Sequence, residues 1–155
     1  MNNVLVLCAG NICRSPVAEA LLRHALPEKH VFSAGIEAVV GRSPDARAVR
    51  LMHELGIDIS SHKGQQLTSW MLNQAELILV MEAAQKTRVE SMYPIARGKV
   101  FRIGEFAGLD VFDPYGKGDA AMIEAFELIV QAAAQWVTRL GGLASKAASA
   151  KRKSA

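Results

Sequence analysis

Four short apolar runs, at residues 4–7, 30–33, 77–80 and 100–103, stand between longer segments whose apolar residues recur at helical spacing. No other feature restricts the fold of this chain as much. The runs are too short for helices and rich in Val, Ile and Leu, as strands buried on both faces are. Parallel strands cannot be joined by a tight hairpin. They need crossovers of a dozen residues or more, and helical segments at 16–26, 44–55, 68–74, 83–92 and 119–140 supply them. Pro44 suits a first helical turn, and Gly56 and Gly141 suit helix ends. The expected fold is α/β, a single domain with a four-stranded parallel sheet and helices on both faces. Ligands of such sheets bind beyond the carboxyl ends of the strands, so the loop after the first run is where a site belongs.

The chain has 155 residues, half of them apolar, which is enough for one ordinary core without disulfide or metal staples. Apolar runs such as AELILVM at 75–81 are too short to span a bilayer, and the N-terminus lacks a basic stretch followed by a long apolar core. We therefore expect no membrane insertion and a cytoplasmic location. Two cysteines are too few for a secreted disulfide scaffold of this size, so a catalytic or metal-binding role is weighed first. The net charge of +3 comes from the end of the chain: without Lys146, Lys151, Arg152 and Lys153 the rest holds 14 basic and 15 acidic residues. Residues 1–141 read as the domain and residues 142–155 as a basic, disordered tail. A domain that is not itself basic gives no reason to expect nucleic-acid binding. Trp70 and Trp136 fall at apolar helical positions and are expected in the core.

Both cysteines lie in CAGNICRSP, residues 8–16, directly after the first run. Cys8 and Arg14 frame five residues. If the loop between them curls, its backbone N–H groups point inward and form an anion-binding nest. Ser15 suits an N-cap and Pro16 a first helical position, which would place the nest on the positive end of a helix. That field favours an anion, and it favours the thiolate form of Cys8 for the same reason. Arg14 offers a planar fork that can hold two phosphate oxygens at once. A thiolate beneath a bound phosphoryl group is poised for nucleophilic attack.

This loop resembles the signature C-x-G-N-x-C-R-S of the low-molecular-weight protein tyrosine phosphatases, with Cys8, Gly10, Asn11, Cys13, Arg14 and Ser15 matching in order. A second family signature, Asp-Pro followed by an aromatic residue, is matched far downstream by Asp113, Pro114 and Tyr115. The resemblance extends over SAG at 33–35 and SHKGQQL at 61–67. It implies that Cys8 attacks phosphorus, Arg14 and the loop hold the equatorial oxygens, and Asp113 gives a proton to the leaving oxygen. Ala9, Gly10, Asn11, Ile12, Cys13 and Ser15 would surround the phosphate, with Val39 and Tyr115 as the pocket wall. Ser33 and His62 would support Asn11, and Ser15 would stabilise the thiolate. Neither a metal nor a cofactor is implied. Gly116 after Tyr115, and a pocket loop reading IEAVVG, resemble the bacterial subgroup paired with the tyrosine autokinases of exopolysaccharide assembly. A phosphotyrosine protein, such as one of those kinases, is the implied partner. The usual A-R-Q after the histidine is here Gly64, Gln65 and Gln66.

Two other activities share a loop of this kind. An arsenate reductase relays oxidation through further cysteines, which this chain lacks. A phosphocysteine carrier of sugar transport needs no downstream acid, whereas Asp113 is present. A zinc site from Cys8, Cys13 and two of the four histidines would lack the usual ligand spacing. We expect Cys13 to act as a redox guard, capturing an oxidised Cys8 as a disulfide before further oxidation.

Overall fold

The computed structural model describes residues 1–154, with side chains as far as Gly141. Four strands, β1 (Asn3–Cys8), β2 (His30–Gly35), β3 (Leu77–Val80) and β4 (Val100–Arg102), form one parallel sheet in the order β2-β1-β3-β4. Five α-helices connect or cover them: α1 (Arg14–Ala25), α2 (Ala46–Glu54), α3 (Ser69–Gln74), α4 (Ala83–Met92) and α5 (Asp119–Ser154). This is the expected α/β architecture. Strand alternation divides the core in two. Val4, Val6, Leu77 and Leu79 pack with α1, α2 and α5 on one face. Leu5, Leu7, Ile78 and Val80 pack with α3 and α4 on the other. Because both faces are covered, each strand reads as a continuous apolar run.

Cys8 pairs with Gly35 in the β1–β2 register, so the two strands end level. The chain first moves to one side of β1 and later, with β3, to the other. The loops after β1 and β3 thus open onto the crevice where the direction of winding reverses.

Several helix ends differ from expectation. Helix α1 begins at Arg14 with Cys13 as its N-cap and no capping side chain, so Ser15 lies inside the helix. An anion nest needs its first-turn N–H groups unoccupied, and a capping serine would consume one of them. Helix α2 starts after Pro44, with Asp45 as N-cap accepting the Arg47 N–H at 2.9 Å. Gly56 ends α2 as expected: at φ +78° its N–H donates to His53 O, while Ile57 N–H donates to Met52 O. Helix α5 continues past Gly141, which lies against Leu26 at the end of α1 rather than marking a stop. The expected disordered tail falls on Ala155 and on residues 142–154, whose side chains are outside the described set.

The stretch Asp119–Gly141 of α5 is long and apolar enough to cross a membrane, contrary to the run-length reading. Its stripe of Met122, Ala125, Ile129, Ala132, Ala133 and Trp136 is buried in the core. The Trp136 indole also donates to Ile103 O at 2.8 Å. Trp70, expected in the core, is 67% exposed. It belongs to a six-residue helix that buries only Leu72, and so short a helix has one inward position to fill.

Candidate active site

The loop after β1 is held from within by Asn11, whose φ of 59° puts a non-glycine residue in the left-handed region. Its carboxamide is fully committed. Nδ2 donates to Ser15 Oγ at 2.8 Å and to Ser33 Oγ at 2.9 Å, and Oδ1 accepts the Gln65 N–H at 3.0 Å. His62 Nε2 meets the Asn11 carbonyl oxygen at 2.8 Å. Four contacts from three segments thus fix a backbone conformation that would otherwise cost energy.

The same network reaches the sulfur. Asn11 Nδ2 can only donate, so Ser15 Oγ accepts from it and keeps its own proton free to donate to a Cys8 thiolate, whose Sγ lies 2.9 Å away. The Asn11 N–H supplies a second donor to Cys8 Sγ at 3.3 Å. Both hydrogen bonds are stronger to a thiolate than to a thiol.

Arg14 is buried, and a buried charge must be paired. Its Nη1 donates to Glu82 and, at 2.9 Å, to Val111 O, which aligns the guanidinium beside the loop. Its Nη2 lies 3.8 Å from Asp113 Oδ2. Glu82 lies two residues past the end of β3, at the same end of the sheet as Cys8, the last residue of β1. The turn that carries it is held by Gln85, whose side-chain oxygen accepts the N–H groups of Met81 and Glu82 at 2.9 and 3.1 Å. Asp113 is half-exposed and accepts the Tyr115 N–H at 3.1 Å, which orients the carboxylate and the tyrosine together.

These groups surround a cavity of about 290 Å³. Its floor is Cys8, Ala9, Gly10, Ile12, Cys13 and Arg14. The segment after β2 provides Glu37, Val39 and Arg42, and the segment before α5 provides Asp113 and Tyr115. Asn11 and Ser15, expected against the substrate, are instead fully buried beneath the floor with Ser33. There they hold the loop and the sulfur. Cys13 also faces partly inward, donating to Met122 Sδ at 3.5 Å. Burial first, then the neighbouring Cys8 and Asp45, pushes its thiol from an ordinary 9.0 up to about 12. Among the described residues no three of His, Cys, Asp and Glu are grouped to hold a metal ion.

The sequence reading missed Glu82 and the backbone donors and acceptors at Gln65 and Val111. Glu82 had one legible signal, its place at the carboxyl end of an apolar run. The arrangement can hold an oxyanion over a sulfur nucleophile, with Arg14 beside the loop to balance it and Asp113 for proton transfer.

A family model described as low molecular weight phosphotyrosine protein phosphatase matches residues 3–146. The chain is 48% identical over 143 residues to "Probable low molecular weight protein-tyrosine-phosphatase EpsP" of Ralstonia nicotianae, covering 92% of this chain and 99% of that one. A structure of Vibrio vulnificus Wzb in complex with benzylphosphonate superposes with a TM-score of 0.85 at 40% identity, covering 89% of this chain and 98% of the other. A YwlE arginine phosphatase from Geobacillus stearothermophilus superposes with a TM-score of 0.87 at 28% identity, covering 94% and 97%. The agreement spans both the loop around Cys8 and the distant segment that carries Asp113, and on it the chain belongs to the low molecular weight phosphotyrosine protein phosphatases.

Proposed function

We propose that the protein hydrolyses phosphotyrosine through Cys8, Arg14 and Asp113. The observation that carries this reading is the line Asn11–Ser15–Cys8, which brings a hydroxyl to the sulfur, with Arg14 and Asp113 on the same cavity. Cys8 Sγ attacks phosphorus in line, and the bond to the tyrosyl oxygen breaks as Asp113 gives that oxygen a proton. The product is a phosphocysteine and free tyrosine hydroxyl. Asp113, now a carboxylate, takes a proton from water as that water attacks phosphorus. Inorganic phosphate leaves and the Cys8 thiolate returns. Arg14 and the loop N–H groups stabilise the charge on the equatorial oxygens in both steps.

Ile12, Val39 and Tyr115 give the cavity apolar sides, which suit a flat aryl ring better than a short serine side chain or a charged guanidine. The physiological substrate we propose is a tyrosine autokinase of exopolysaccharide assembly, or that kinase's targets, in the cytoplasm. Support for this comes from the IEAVVG loop and the Tyr115–Gly116 pair, which resemble the bacterial subgroup serving such kinases.

Turnover of para-nitrophenyl phosphate and of phosphotyrosyl, phosphoseryl and phosphoarginyl peptides tests the reading, with EDTA present throughout. Wild type should hydrolyse the aryl phosphates and Cys8→Ser should not. Activity lost to EDTA and restored by zinc, or retained by Cys8→Ser, would overturn it. A preference for phosphoarginine would overturn the substrate assignment alone.

A further inference from the structure

Arg42, which lines the cavity from the segment after β2, has no described carboxylate within ion-pairing distance, while neighbouring cations are taken. Arg14 pairs with Glu82, Arg47 with Asp45 and Asp119, and Arg88 with Glu37. Glu37, the acid on the same wall, is thus already neutralised. Lys63 stands close by and donates to the Ser43 hydroxyl at 2.8 Å, its one side-chain bond among the described residues. A chain whose residues 1–141 carry a small net negative charge thus holds two cations without a described carboxylate partner on this side of the cavity, Arg42 on its wall and Lys63 beside Ser43.

The backbone under Arg42 is also held in place. Its N–H donates to Val39 O at 3.2 Å, and its carbonyl accepts the Gly64 N–H at 2.9 Å. Gly41 N–H returns a bond to Gly64 O at 2.9 Å, and Val39 N–H ties the segment to Gly10 O at 3.0 Å. A Cβ at Gly64 would stand 2.4 Å from Val39 O, so only glycine allows this approach. An exposed arginine usually loses much of an ion pair's energy to side-chain ordering. A fixed backbone next to the reacting group leaves that loss in place but limits where the charge can fall.

We propose that Arg42 is a substrate-reading residue: it pairs with an acidic side chain lying within a few residues of the phosphotyrosine in the protein substrate. This rests on the phosphatase reading above and adds a sequence preference to it. Asp and Glu both satisfy the chemistry, and a lysine at the same place would be repelled.

The test uses phosphotyrosyl peptides with an alanine background, in which Glu or Lys is placed in turn at each position within three residues of the phosphotyrosine. Phosphate release gives kcat/KM for the wild type, Arg42→Lys, Arg42→Glu and Arg50→Glu. Arg50 is exposed on α2 and does not line this cavity, so Arg50→Glu changes the net charge equally without touching the rim. At one or two positions the wild type should favour Glu over Lys by about threefold to fivefold, the range of an exposed ion pair. Near 1 M salt, where the screening length is about 3 Å, that preference should vanish. Arg42→Lys should keep the preference, Arg42→Glu should invert it, and Arg50→Glu should leave it in place. The same Glu-to-Lys ratio in wild type and Arg42→Glu would overturn the proposal, as would an equal shift in Arg50→Glu. Failure of the wild type to release phosphate from any of the peptides would instead overturn the phosphatase reading beneath it.

Discussion

At the scale of single residues, a hydroxyl proton connects the support of the loop to its chemistry. Ser15→Ala removes the donor aimed at Cys8 Sγ while leaving the nucleophile in place. A hydrogen bond to a charged group contributes about 1.5–3 kcal/mol, so alkylation of Cys8 by iodoacetamide near neutral pH should slow by at least about tenfold in that variant. Equal alkylation rates would remove Ser15 from the activation of the sulfur. Asp113→Asn should cost about 10²–10⁴ in turnover of substrates with poor phenol leaving groups and much less for activated ones, since only the former need the proton. A flat loss across a leaving-group series would contradict the acid role. Cys13 behaves differently from Cys8. With its thiol pushed up to about 12 by burial, it is protonated when folded over a range where the unfolded chain, near the ordinary 9.0, has already ionised. The stabilising contribution is therefore complete below about 9 and is lost as pH rises toward 12. Urea midpoints taken below and within that window should diverge more in the wild type than in Cys13→Ala. The guard role requires a Cys13 thiolate, so disulfide capture after a peroxide pulse should quicken with pH. Cys13→Ser should then recover less activity with dithiothreitol than the wild type.

At the scale of elements, the site depends on how the segment around Gly64–Gln66 grips the cavity wall. Gln66 accepts the Ala38 N–H at 2.9 Å and donates to Ile36 O at 2.8 Å, while Gly64 packs against the Val39 carbonyl. Gly64→Ala must push that wall outward. Overpacking of this kind costs about 1–3 kcal/mol, and here the displacement carries Val39 with it. A lower melting temperature should be accompanied by a larger rise in KM for aryl phosphates than fall in kcat. A variant with unchanged stability and KM would show that the wall is not set from Gly64. The sequence showed this segment as a departure from the family's A-R-Q but not its use, because its contacts are to backbone atoms that no side-chain pattern encodes.

For the molecule as a whole, a site formed where three segments converge should stabilise the fold when it is filled. Phosphate at about a hundred times its dissociation constant adds about 2.7 kcal/mol to the stability of the state that binds it. In a domain of this size that corresponds to a rise of about 5–10 °C in melting temperature. Cys8→Ser should retain much of the rise, and Arg14→Ala should lose it; a shift that survives in Arg14→Ala would place phosphate elsewhere. The sequence by itself determined the strand count, the crossover helices and the location of Cys8 at the end of β1, because buried parallel strands and amphipathic helices are written in local periodicity. It also determined the reactive loop, whose Cys8-to-Arg14 spacing is a local matter. Tertiary structure alone decided that Glu82 and Val111 would hold Arg14, that Asn11 and Ser15 would lie under the floor rather than on it, that Trp70 would face solvent, and that Arg42 would stand beside the cavity with no carboxylate partner among the described residues. Each of those depends on which distant segments meet, a property of packing among some 155 residues that no window along the chain contains.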